Sequence, residues 1–364
     1  MTKINHLYVH IPFCSSICNY CAFNKSIYNK KFGTKYIDVI LTQLNKYELS
    51  NLSTIYVGGG TPTSIDYHPL DKLLTRLDAY LNENGEFTLE ANIENLDNQM
   101  IELILKHRVN RLSLGIQSFN QEIIKYLNRH HDFEMAKKVI DKLHKLGFNN
   151  INFDLIYGIK NQTIKMIQDD LDKYLSLGVK HISTYLLQIE DHTILKLKNE
   201  NTIDDDSIIK QYEFICDYLK NFNHYEISNF AISGYESKHN LCYWTNREYL
   251  GVGLSSSSYL NNERFTFTSS LKDYLNFDFN RYNVEKIFGN EYEFEYLMLH
   301  LRLKEGFNLQ EYQYIFKKDF LSSYQEELKD LKKYLEIDEN VRIKEQYFLQ
   351  SNDILSSLLL NLDY

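Results

Sequence analysis

Three cysteines near the beginning of the chain carry its strongest chemical signal. Cys14, Cys18 and Cys21 are spaced C-x3-C-x2-C and follow an apolar, strand-like stretch, HLYVHIP. Three thiolates this close can hold an iron–sulfur cluster and leave one of four irons without a protein ligand, open to a small molecule. A structural zinc site or buried thiols are the alternatives. Zinc sites usually combine C-x2-C pairs with a fourth cysteine or histidine, and the sequence has no matching second pair.

A second group of candidate residues lies where predicted strands end. Gly58–Gly60 and Thr61 follow TIYV, Glu90 ends FTLE, Gln117 ends RLSLGIQ, and Asp154 lies within NFDLIYG. Glycines let the backbone approach a ligand closely because they have no side chain. Taken singly, each of these residues is an ordinary loop or strand residue. Their common position makes them candidates for one site near the cysteines.

The first half of the chain must position these residues, and it alternates short apolar strands with amphipathic helices. The predicted strands are Leu7–Ile11, Thr54–Val57, Phe87–Glu90, Arg111–Ile116, Ile151–Ile156 and His181–Leu187. The predicted helices are Tyr36–Tyr47, Leu70–Leu81, Asn98–Lys106, Glu134–Leu146 and Ile164–Leu177. Repeating units of this kind predict an α/β fold with a parallel sheet, as a partial barrel or an open sheet. In both, the functional groups lie beyond the carboxyl ends of the strands.

The pattern changes after about residue 199, which suggests three regions: 1–200, 201–290 and 291–364. The middle region has a polar connection, a predicted helix, a mixed stretch and a Gly/Ser-rich piece, at Asp204–Asp206, Ile208–Asn221, residues 224–244 and Gly251–Ser258. The last region predicts helices at Tyr292–Leu303, Leu309–Ile315, Leu321–Leu335 and Asn352–Leu360, with a strand pair around Val341–Gln350. Helices followed by a small wing predict a winged-helix-like module behind an α+β extension.

Composition excludes several classes of protein. The chain has 364 residues, 43% of them hydrophobic, and a formal net charge of -9, so a general nucleic-acid binder is not expected. We also expect no integral membrane segment and a cytoplasmic location, because no apolar signal region or long apolar run is present. The remaining cysteines, Cys216 and Cys242, stand alone, which is not a disulfide framework and fits a metal site in a reducing compartment.

The cysteine triplet and the GGGTP stretch after the next strand together resemble the radical S-adenosylmethionine (radical SAM) superfamily. The resemblance implies a partial (β/α)6 TIM-type barrel, a [4Fe–4S] cluster on the three cysteines, and S-adenosylmethionine bound to the fourth iron. It also implies an electron donor for the cluster. By the same resemblance, Gly59, Gly60, Thr61 and Glu90 contact S-adenosylmethionine.

Three further stretches, RLSLGIQSFN, LNRHH and NFDLIYGIKNQT, resemble the coproporphyrinogen III oxidase-like branch of that superfamily. This narrower resemblance implies that more residues bind the cofactor, namely Tyr8, Tyr20, Gln117, Arg129 and Asp154. The chain departs from the branch at three positions. Ile93 and Lys160 stand where proline is usual, and Asn128 stands where glycine is usual. Ile93 should loosen the turn after Glu90 without removing its carboxylate, and neither Asn128 nor Lys160 replaces a chemical group that the mechanism needs.

Two features are typical of the HemW-type heme chaperones within this branch. Phe23 occupies the position where the oxygen-independent oxidases have another cysteine, and HNLCYW matches the motif H-N-x-x-Y-W. The resemblance implies heme binding through His239, Tyr243 and Trp244, and transfer of heme to acceptor proteins, with respiratory proteins as first candidates.

Simpler roles for the HNLCYW residues stay open. His239 can be a hydrogen-bonded loop histidine, Trp244 can anchor its segment to the barrel, and Cys242 is interpreted as a buried thiol. The alternative functions are an oxygen-independent coproporphyrinogen III oxidase and another radical SAM enzyme. Whether the chain is an enzyme is therefore undecided from its sequence.

Overall fold

The structure is a computed structural model that describes residues 3–359. Its strands are β1 (His6–Ile11), β2 (Phe13–Cys14), β3 (Ser26–Ile27), β4 (Leu52–Gly59), β5 (Leu81–Ala91), β6 (Arg111–Gln117), β7 (Ile151–Tyr157), β8 (His181–Leu186), β9 (Asn223–Glu226), β10 (Asn229–Ala231), β11 (Leu250–Val252), β12 (Ser257–Leu260), β13 (Glu263–Thr266), β14 (Tyr282–Lys286), β15 (Phe307–Asn308), β16 (Leu335–Ile337) and β17 (Asn340–Ile343).

The helices of the barrel region lie between these strands, and the remaining helices follow them. They are α1 (Lys30–Leu44), α2 (Tyr67–Asp78), α3 (Asn98–Lys106), α4 (Gln121–Leu127), α5 (Phe133–Lys145), α6 (Ile164–Ser176), α7 (Ile194–Leu197), α8 (Asp205–Tyr218), α9 (Lys238–Trp244), α10 (Leu271–Leu275), α11 (Asn290–His300), α12 (Leu309–Phe316), α13 (Phe320–Ser323), α14 (Gln325–Leu331) and α15 (Ser351–Leu359). Within residues 3–359, none of these helices has the length and apolar character needed to cross a membrane.

A nine-stranded sheet forms the centre of the described chain. Its strands run in the order β11-β1-β4-β5-β6-β7-β8-β10-β9. They are parallel from β11 to β8, and β10 and β9 are antiparallel at one edge. The six strands predicted from the sequence are β1 and β4 to β8. Five lie within two or three residues of their expected bounds, and β5 begins six residues before the predicted Phe87, at Leu81. The predicted α/β fold with a partial parallel barrel is confirmed.

Alternation along the strands separates an apolar outer face from a polar interior. In β1, Leu7, Val9 and Ile11 are fully buried in the main apolar core, and His6, Tyr8 and His10 project to the other side, because successive strand residues point to opposite faces. The outer face is covered by the amphipathic helices. The interior can therefore hold polar groups that are shielded from bulk water.

The helices begin where the sequence supplies a capping side chain. The Asp132 carboxylate accepts a hydrogen bond from the Met135 amide at the start of α5, and Asp97 does the same for Met100 in α3. Such caps satisfy amides that have no partner inside the helix. The predicted barrel helices are all present, but the short helix α4 was not predicted.

The middle region differs most from its prediction. Strand β11, inside the Gly/Ser-rich piece, pairs in parallel with β1, and the mixed stretch supplies β9, β10 and α9. A separate antiparallel sheet, in the order β12-β13-β14, follows. Three- to five-residue strands leave too short a pattern to be read from sequence alone.

The last region combines helices with a small antiparallel sheet in the order β15-β17-β16. The single helix predicted at Leu321–Leu335 is wrong, because Tyr324 separates α13 from α14. The strand pair predicted around Val341–Gln350 is wrong in its bounds. Its turn lies at Asp338, whose carboxylate accepts a hydrogen bond from the Asn340 amide at 2.8 Å, and residues 345–350 form a 3-10 helix. The predicted last helix is α15, and its expected final residue, Leu360, lies outside the described residues.

Candidate functional site

A cavity of about 380 Å³ lies at the carboxyl ends of the barrel strands. Its lining includes the three cysteines and most of the cofactor-binding residues predicted from the sequence. These are Cys14, Cys18, Cys21, Tyr20, Gly59, Gly60, Thr61, Glu90, Gln117, Arg129 and Asp154. Residues that are up to 140 positions apart in the chain therefore meet in one place, as expected for a parallel sheet with functional loops at one end.

The glycine loop after β4 is tied to the backbone that leads into the cysteines. The Gly60 amide donates to the Ile11 carbonyl and the Thr61 amide to the Phe13 carbonyl, both at 2.7 Å. A side chain at Gly60 would place its Cβ 2.6 Å from the Phe13 oxygen and 2.8 Å from the Ile11 oxygen. Glycine is required here because two backbones approach each other directly.

Glu90 holds the glycine loop through a hydrogen bond from the Gly59 amide. Its two carboxylate oxygens accept hydrogen bonds from the Tyr56 hydroxyl at 2.7 Å and the Gly59 amide at 2.9 Å. Gly59 has φ of 108°, in the left-handed region that favours glycine. Burial raises the pKa of Glu90 to about 7, although both hydrogen bonds oppose the shift. The carboxylate both shapes the loop and titrates near neutral pH.

The three cysteines are free thiols, each partly buried. Burial raises the pKa of Cys14 to about 11 and raises the pKa of Cys21 as well. Thiolates are the ligands of iron–sulfur clusters, so a bound cation would have to offset this burial. Among residues 3–359, no three His, Cys, Asp or Glu side chains are gathered around a single ion position. In a four-iron cluster each cysteine binds its own iron, so its ligands stand further apart than around one ion.

The cysteine loop is held by the end of α4. The Asn19 amide donates to the Leu127 carbonyl at 3.1 Å, and the Asn19 side chain donates to the Tyr126 carbonyl at 2.6 Å. Asn128, in the left-handed conformation after α4, donates from its side chain to the Ile17 carbonyl at 2.7 Å. Asparagine tolerates the left-handed backbone conformation that glycine would adopt here, so the backbone shape is kept. Its side chain also adds a hydrogen bond that holds the cysteine loop.

Arg129 connects the cysteine loop to the strand ends. Its Nη1 lies 3.6 Å from the Cys18 sulfur, and its Nη2 donates to the Asn92 side-chain oxygen at 2.9 Å and to the Gly115 carbonyl. Asn92 in turn donates to the Thr61 hydroxyl at 3.1 Å. Asn92 was not predicted as a site residue, although its place two residues after Glu90, directly after the end of β5, was the available signal.

The cavity lining contains polar atoms without protein partners. The side-chain oxygen of Gln117 and the Nε of Arg129 are buried and make no hydrogen bond. A buried unpaired polar atom costs about 1–3 kcal/mol, so such atoms usually have a ligand or water as partner. Gln117 also has φ of 62°, a conformation that is rare for its type. These atoms fit a polar ligand, and three thiols at the same cavity fit the cluster.

Asp154 adds a second buried carboxylate to the lining. It accepts a hydrogen bond from the Asn152 side chain at 2.8 Å. Burial raises the pKa of Asp154 to about 6. The cavity therefore has two carboxyl groups, Glu90 and Asp154, that change charge between mildly acidic and neutral pH.

Comparisons with known proteins agree with this geometry. Residues 8–174 match the model of the radical SAM superfamily. The heme chaperone HemW of Lactococcus lactis subsp. lactis is 35% identical over 374 residues, which cover 99% of this chain and 99% of that protein. The chain belongs to the HemW family within the radical SAM superfamily.

Two further comparisons extend this result. The heme chaperone HemW of Bacillus subtilis is 32% identical over 281 residues, which cover 74% of each chain. The solved structure of coproporphyrinogen III oxidase (HemN) from Escherichia coli, a radical SAM enzyme, has a TM-score of 0.85 and 19% identity, with 98% of this chain and 90% of that chain covered. At this identity the likeness shows a shared fold.

Two tyrosines that the resemblance nominated in this HemW-family chain lie in different places. Tyr20 lines the cavity. The described lining does not include Tyr8, whose hydroxyl is hydrogen-bonded to His10 Nδ1 at 2.9 Å and whose ring lies 6.0 Å from that of Tyr56. Tyr8 therefore lies beside a lining residue, because Tyr56 is part of the cavity wall.

His239 lies inside the barrel of this HemW-family chain, toward the amino ends of the strands, with its ring centre 5.2 Å from that of the lining residue Tyr56. Its ring is fully buried, with Nδ1 2.7 Å from the Thr54 hydroxyl and Nε2 2.8 Å from the Tyr243 hydroxyl. Burial lowers the pKa of His239 to about 3. Glu86 accepts hydrogen bonds from the Lys238 and His239 amides, both at 3.0 Å. Both ring nitrogens are thus already occupied by protein groups.

The rest of the HNLCYW segment packs around this histidine. Cys242 is 2% exposed, so its interpretation as a buried thiol is confirmed. Trp244 lies under the Arg302 guanidinium, whose carbon is 4.8 Å from the ring centre, and its indole nitrogen is buried without a partner. Trp244 therefore joins α9 to the last region of the chain.

The two other departures from the family pattern have simple local environments. Ile93 is 2% exposed and begins a short 3-10 helix after β5, so an apolar side chain replaces proline inside the core. Lys160 forms an ion pair with Glu200 at 3.2 Å on the surface. Neither position is part of the cavity lining.

Proposed function

We propose that this chain is a heme chaperone that binds heme, a [4Fe–4S] cluster and S-adenosylmethionine, and that passes heme to acceptor proteins. The observation that carries the proposal is the likeness to the lactococcal heme chaperone, which extends over 99% of both chains. A whole-length match of this kind covers the cavity, the HNLCYW segment and the last region together.

The cavity supports the cofactor part of the proposal. Cys14, Cys18 and Cys21 would hold the cluster, and the backbone of the glycine loop would contact S-adenosylmethionine. Their roles would be supported by polar side chains of the lining, namely Glu90, Gln117, Arg129 and Asp154. When bound, the cluster and S-adenosylmethionine supply one-electron chemistry, and the protein supplies ligation, orientation and shielding from water.

Phe23 supports the chaperone over a coproporphyrinogen III oxidase. Its ring is 69% exposed and forms part of the cavity lining, where the oxidases have a further cysteine. A phenyl ring offers neither a thiol nor a proton at that point. We infer that the cavity lacks a group on which that oxidation would depend.

Heme ligation by His239, with Tyr243 and Trp244, is the less direct part of the proposal. To bind iron, the imidazole would have to leave the Thr54 or the Tyr243 hydroxyl, since each ring nitrogen is hydrogen-bonded. A neutral imidazole is nevertheless a good iron ligand, and burial keeps this ring neutral. The proposal therefore requires a local rearrangement of α9.

Titration of the purified protein with hemin tests the proposed function. The experiment starts from anaerobically reconstituted protein, with the cluster and S-adenosylmethionine followed in the same sample. We expect stoichiometric heme binding, and weaker binding in His239→Ala if the ring is a ligand. The absence of any heme binding by the wild-type protein would overturn the proposal. An anaerobic assay with coproporphyrinogen III separates the alternative, because steady product formation would indicate the oxidase.

The remaining partners follow from the same proposal. A heme chaperone needs heme-accepting proteins, with respiratory proteins as first candidates, and its cluster needs an electron donor. We propose a cytoplasmic location for this exchange. Transfer of bound heme to an apo-cytochrome in a purified mixture, followed by its absorbance, tests the acceptor class directly.

A further inference from the structure

A second cavity, of about 280 Å³, adjoins the cysteine cavity. We call it the C-terminal cleft, because it lies between the end of β8 and the segment 348–352. Tyr185, Leu186 and Gln188 line both cavities. A ligand in the cleft would therefore touch the outer wall of the proposed S-adenosylmethionine site.

Arg302 gives the cleft a positive charge. It follows α11 and lines the cleft, and its backbone is held by a hydrogen bond from the Ile227 amide to the Arg302 carbonyl at 3.3 Å. Its Nε is buried and has no hydrogen-bond partner, and its guanidinium stacks on Trp244 at 4.8 Å. Among residues 3–359, no carboxylate forms an ion pair with it at hydrogen-bonding distance.

The nearby carboxylate of Glu226 does not neutralise this arginine by contact. Glu226 is fully buried, and one of its oxygens accepts a hydrogen bond from the Asn229 side chain while the other has no partner. Burial raises the pKa of Glu226, and the charge of Arg302 opposes that shift. The two groups therefore interact through space, and the guanidinium keeps its donors for a ligand.

The walls of the cleft combine aromatic and apolar side chains with polar ones, among them Thr184, Ser228 and Asn352. Tyr157, Ile227, Phe348 and Leu349 contribute to them, and Tyr185 at the border is 43% exposed. Arg302 is the charged side chain in this mixed lining. Flat apolar molecules that carry a carboxylate match this combination, because an arginine binds a carboxylate through two parallel hydrogen bonds.

We propose that Arg302 binds a propionate carboxylate of heme in the C-terminal cleft. The inference rests on the proposed heme-binding function and names the subsite that the function leaves open. The cleft is smaller than most ligand pockets, which span about 300–1,000 Å³, so it holds the carboxylate-bearing edge of heme.

Hemin and hemin dimethyl ester, which lacks free carboxylates, test the inference in the reconstituted full-length protein. We expect the wild-type protein to bind hemin about ten-fold more tightly than the ester, the scale of one charge-assisted pair. Arg302→Gln should reduce hemin affinity to the level of the ester and leave ester affinity unchanged. Arg281→Gln, at a surface ion pair with Glu263, is the matched control and should keep the wild-type preference.

The outcomes separate this inference from the proposed function. Equal wild-type affinity for hemin and its ester, or an unchanged preference in Arg302→Gln, would overturn the Arg302 site while heme binding stands. No binding of either compound would overturn the proposed function and the site together. If Arg302→Gln fails to fold, as judged by its melting temperature and cluster absorbance, Arg302→Lys serves instead. It keeps the charge but not the paired hydrogen bonds, so a reduced preference is expected.

Discussion

Two groups of buried polar residues in the barrel differ in whether their side chains have hydrogen-bond partners. Toward the amino ends of the strands lies a hydrogen-bonded group that we call the His239 network, formed by His6, Thr54, Glu86, His239 and Tyr243. In it the Thr54 hydroxyl contacts two imidazole rings, and each Glu86 carboxylate oxygen accepts a hydrogen bond from a backbone amide. At the carboxyl ends, about 13 Å further along the strands, buried atoms of Gln117 and Arg129 have no partner.

This difference separates structure from function within one sheet. Fully hydrogen-bonded buried polar groups stabilise one conformation. The His239 network therefore fixes α9 against strands β4 and β5. A buried polar group without a partner is costly in free energy, and a bound ligand or water usually supplies the missing partner. The carboxyl end therefore offers unpaired atoms to a ligand, whereas the polar groups of the His239 network already pair with one another.

The largest effect should come from removing a proposed cluster ligand at the carboxyl end. Cys18→Ser should abolish the visible absorbance of the reconstituted cluster, because serine replaces a thiolate ligand. The unfolding free energy of the metal-free protein should change by less than about 1 kcal/mol, since Cys18 is only partly buried. Cys216→Ser, at a lone thiol, should load the cluster normally. A full cluster in Cys18→Ser would contradict the assignment.

Breaking the His239 network should lower stability and leave cluster loading intact, the reverse of the effect expected for Cys18→Ser. His239→Ala leaves the Thr54 and Tyr243 hydroxyls without their imidazole partner, so it should lower the unfolding free energy by about 4 kcal/mol. Cluster loading of the folded fraction should stay normal. Denaturant unfolding measures the loss, and the exposed His68→Ala should cost less than about 0.5 kcal/mol. A small loss in His239→Ala would show that the network contributes little to stability.

Glu90 should make the stability of the protein depend on pH. Its folded pKa of about 7 lies above the usual value of 4.5 because of burial, so the folded state keeps the proton longer than the unfolded state does. Its stabilising contribution is complete below pH 4.5 and is lost as the pH rises through 7. Relative to Glu90→Gln, metal-free wild-type protein should lose about 3 kcal/mol between these limits. A difference that is independent of pH would contradict the raised pKa.

The smallest effect concerns the tether of the cysteine loop. Asn128→Gly removes the hydrogen bond to the Ile17 carbonyl but eases the left-handed backbone, so it should cost less than about 1 kcal/mol. The cluster should be lost faster in the presence of an iron chelator. Asn161→Gly is the matched control, because Asn161 has φ of 64° and an exposed side chain. Equal cluster lifetimes in both variants would show that the tether has no role.

The sequence predicted the carboxyl end of the barrel better than the rest. Strands β1 and β4 to β8 each contain a short stretch with apolar residues that face the core. Residues at the ends of parallel strands must meet, so Glu90, Gln117 and Asp154 could be placed together. Strand β11 could not be predicted, because its three residues are defined by pairing with β1, more than 240 positions earlier. Likewise, nothing local in HNLCYW reveals that Thr54 and Tyr243 occupy both nitrogens of His239.

The tethers of the cysteine loop set an order of events during synthesis. The loop is complete in the first 21 residues, but its backbone is held by Tyr126, Leu127 and Asn128, and the Asn19 carbonyl accepts a hydrogen bond from the Leu195 amide at 3.0 Å. These partners leave the ribosome long after the cysteines do. A nascent chain that exposes all three thiols still lacks the groups that arrange them. If these thiols hold the proposed cluster, its insertion would come after more than half of the chain has been translated, and the thiols would need protection from oxidation until then.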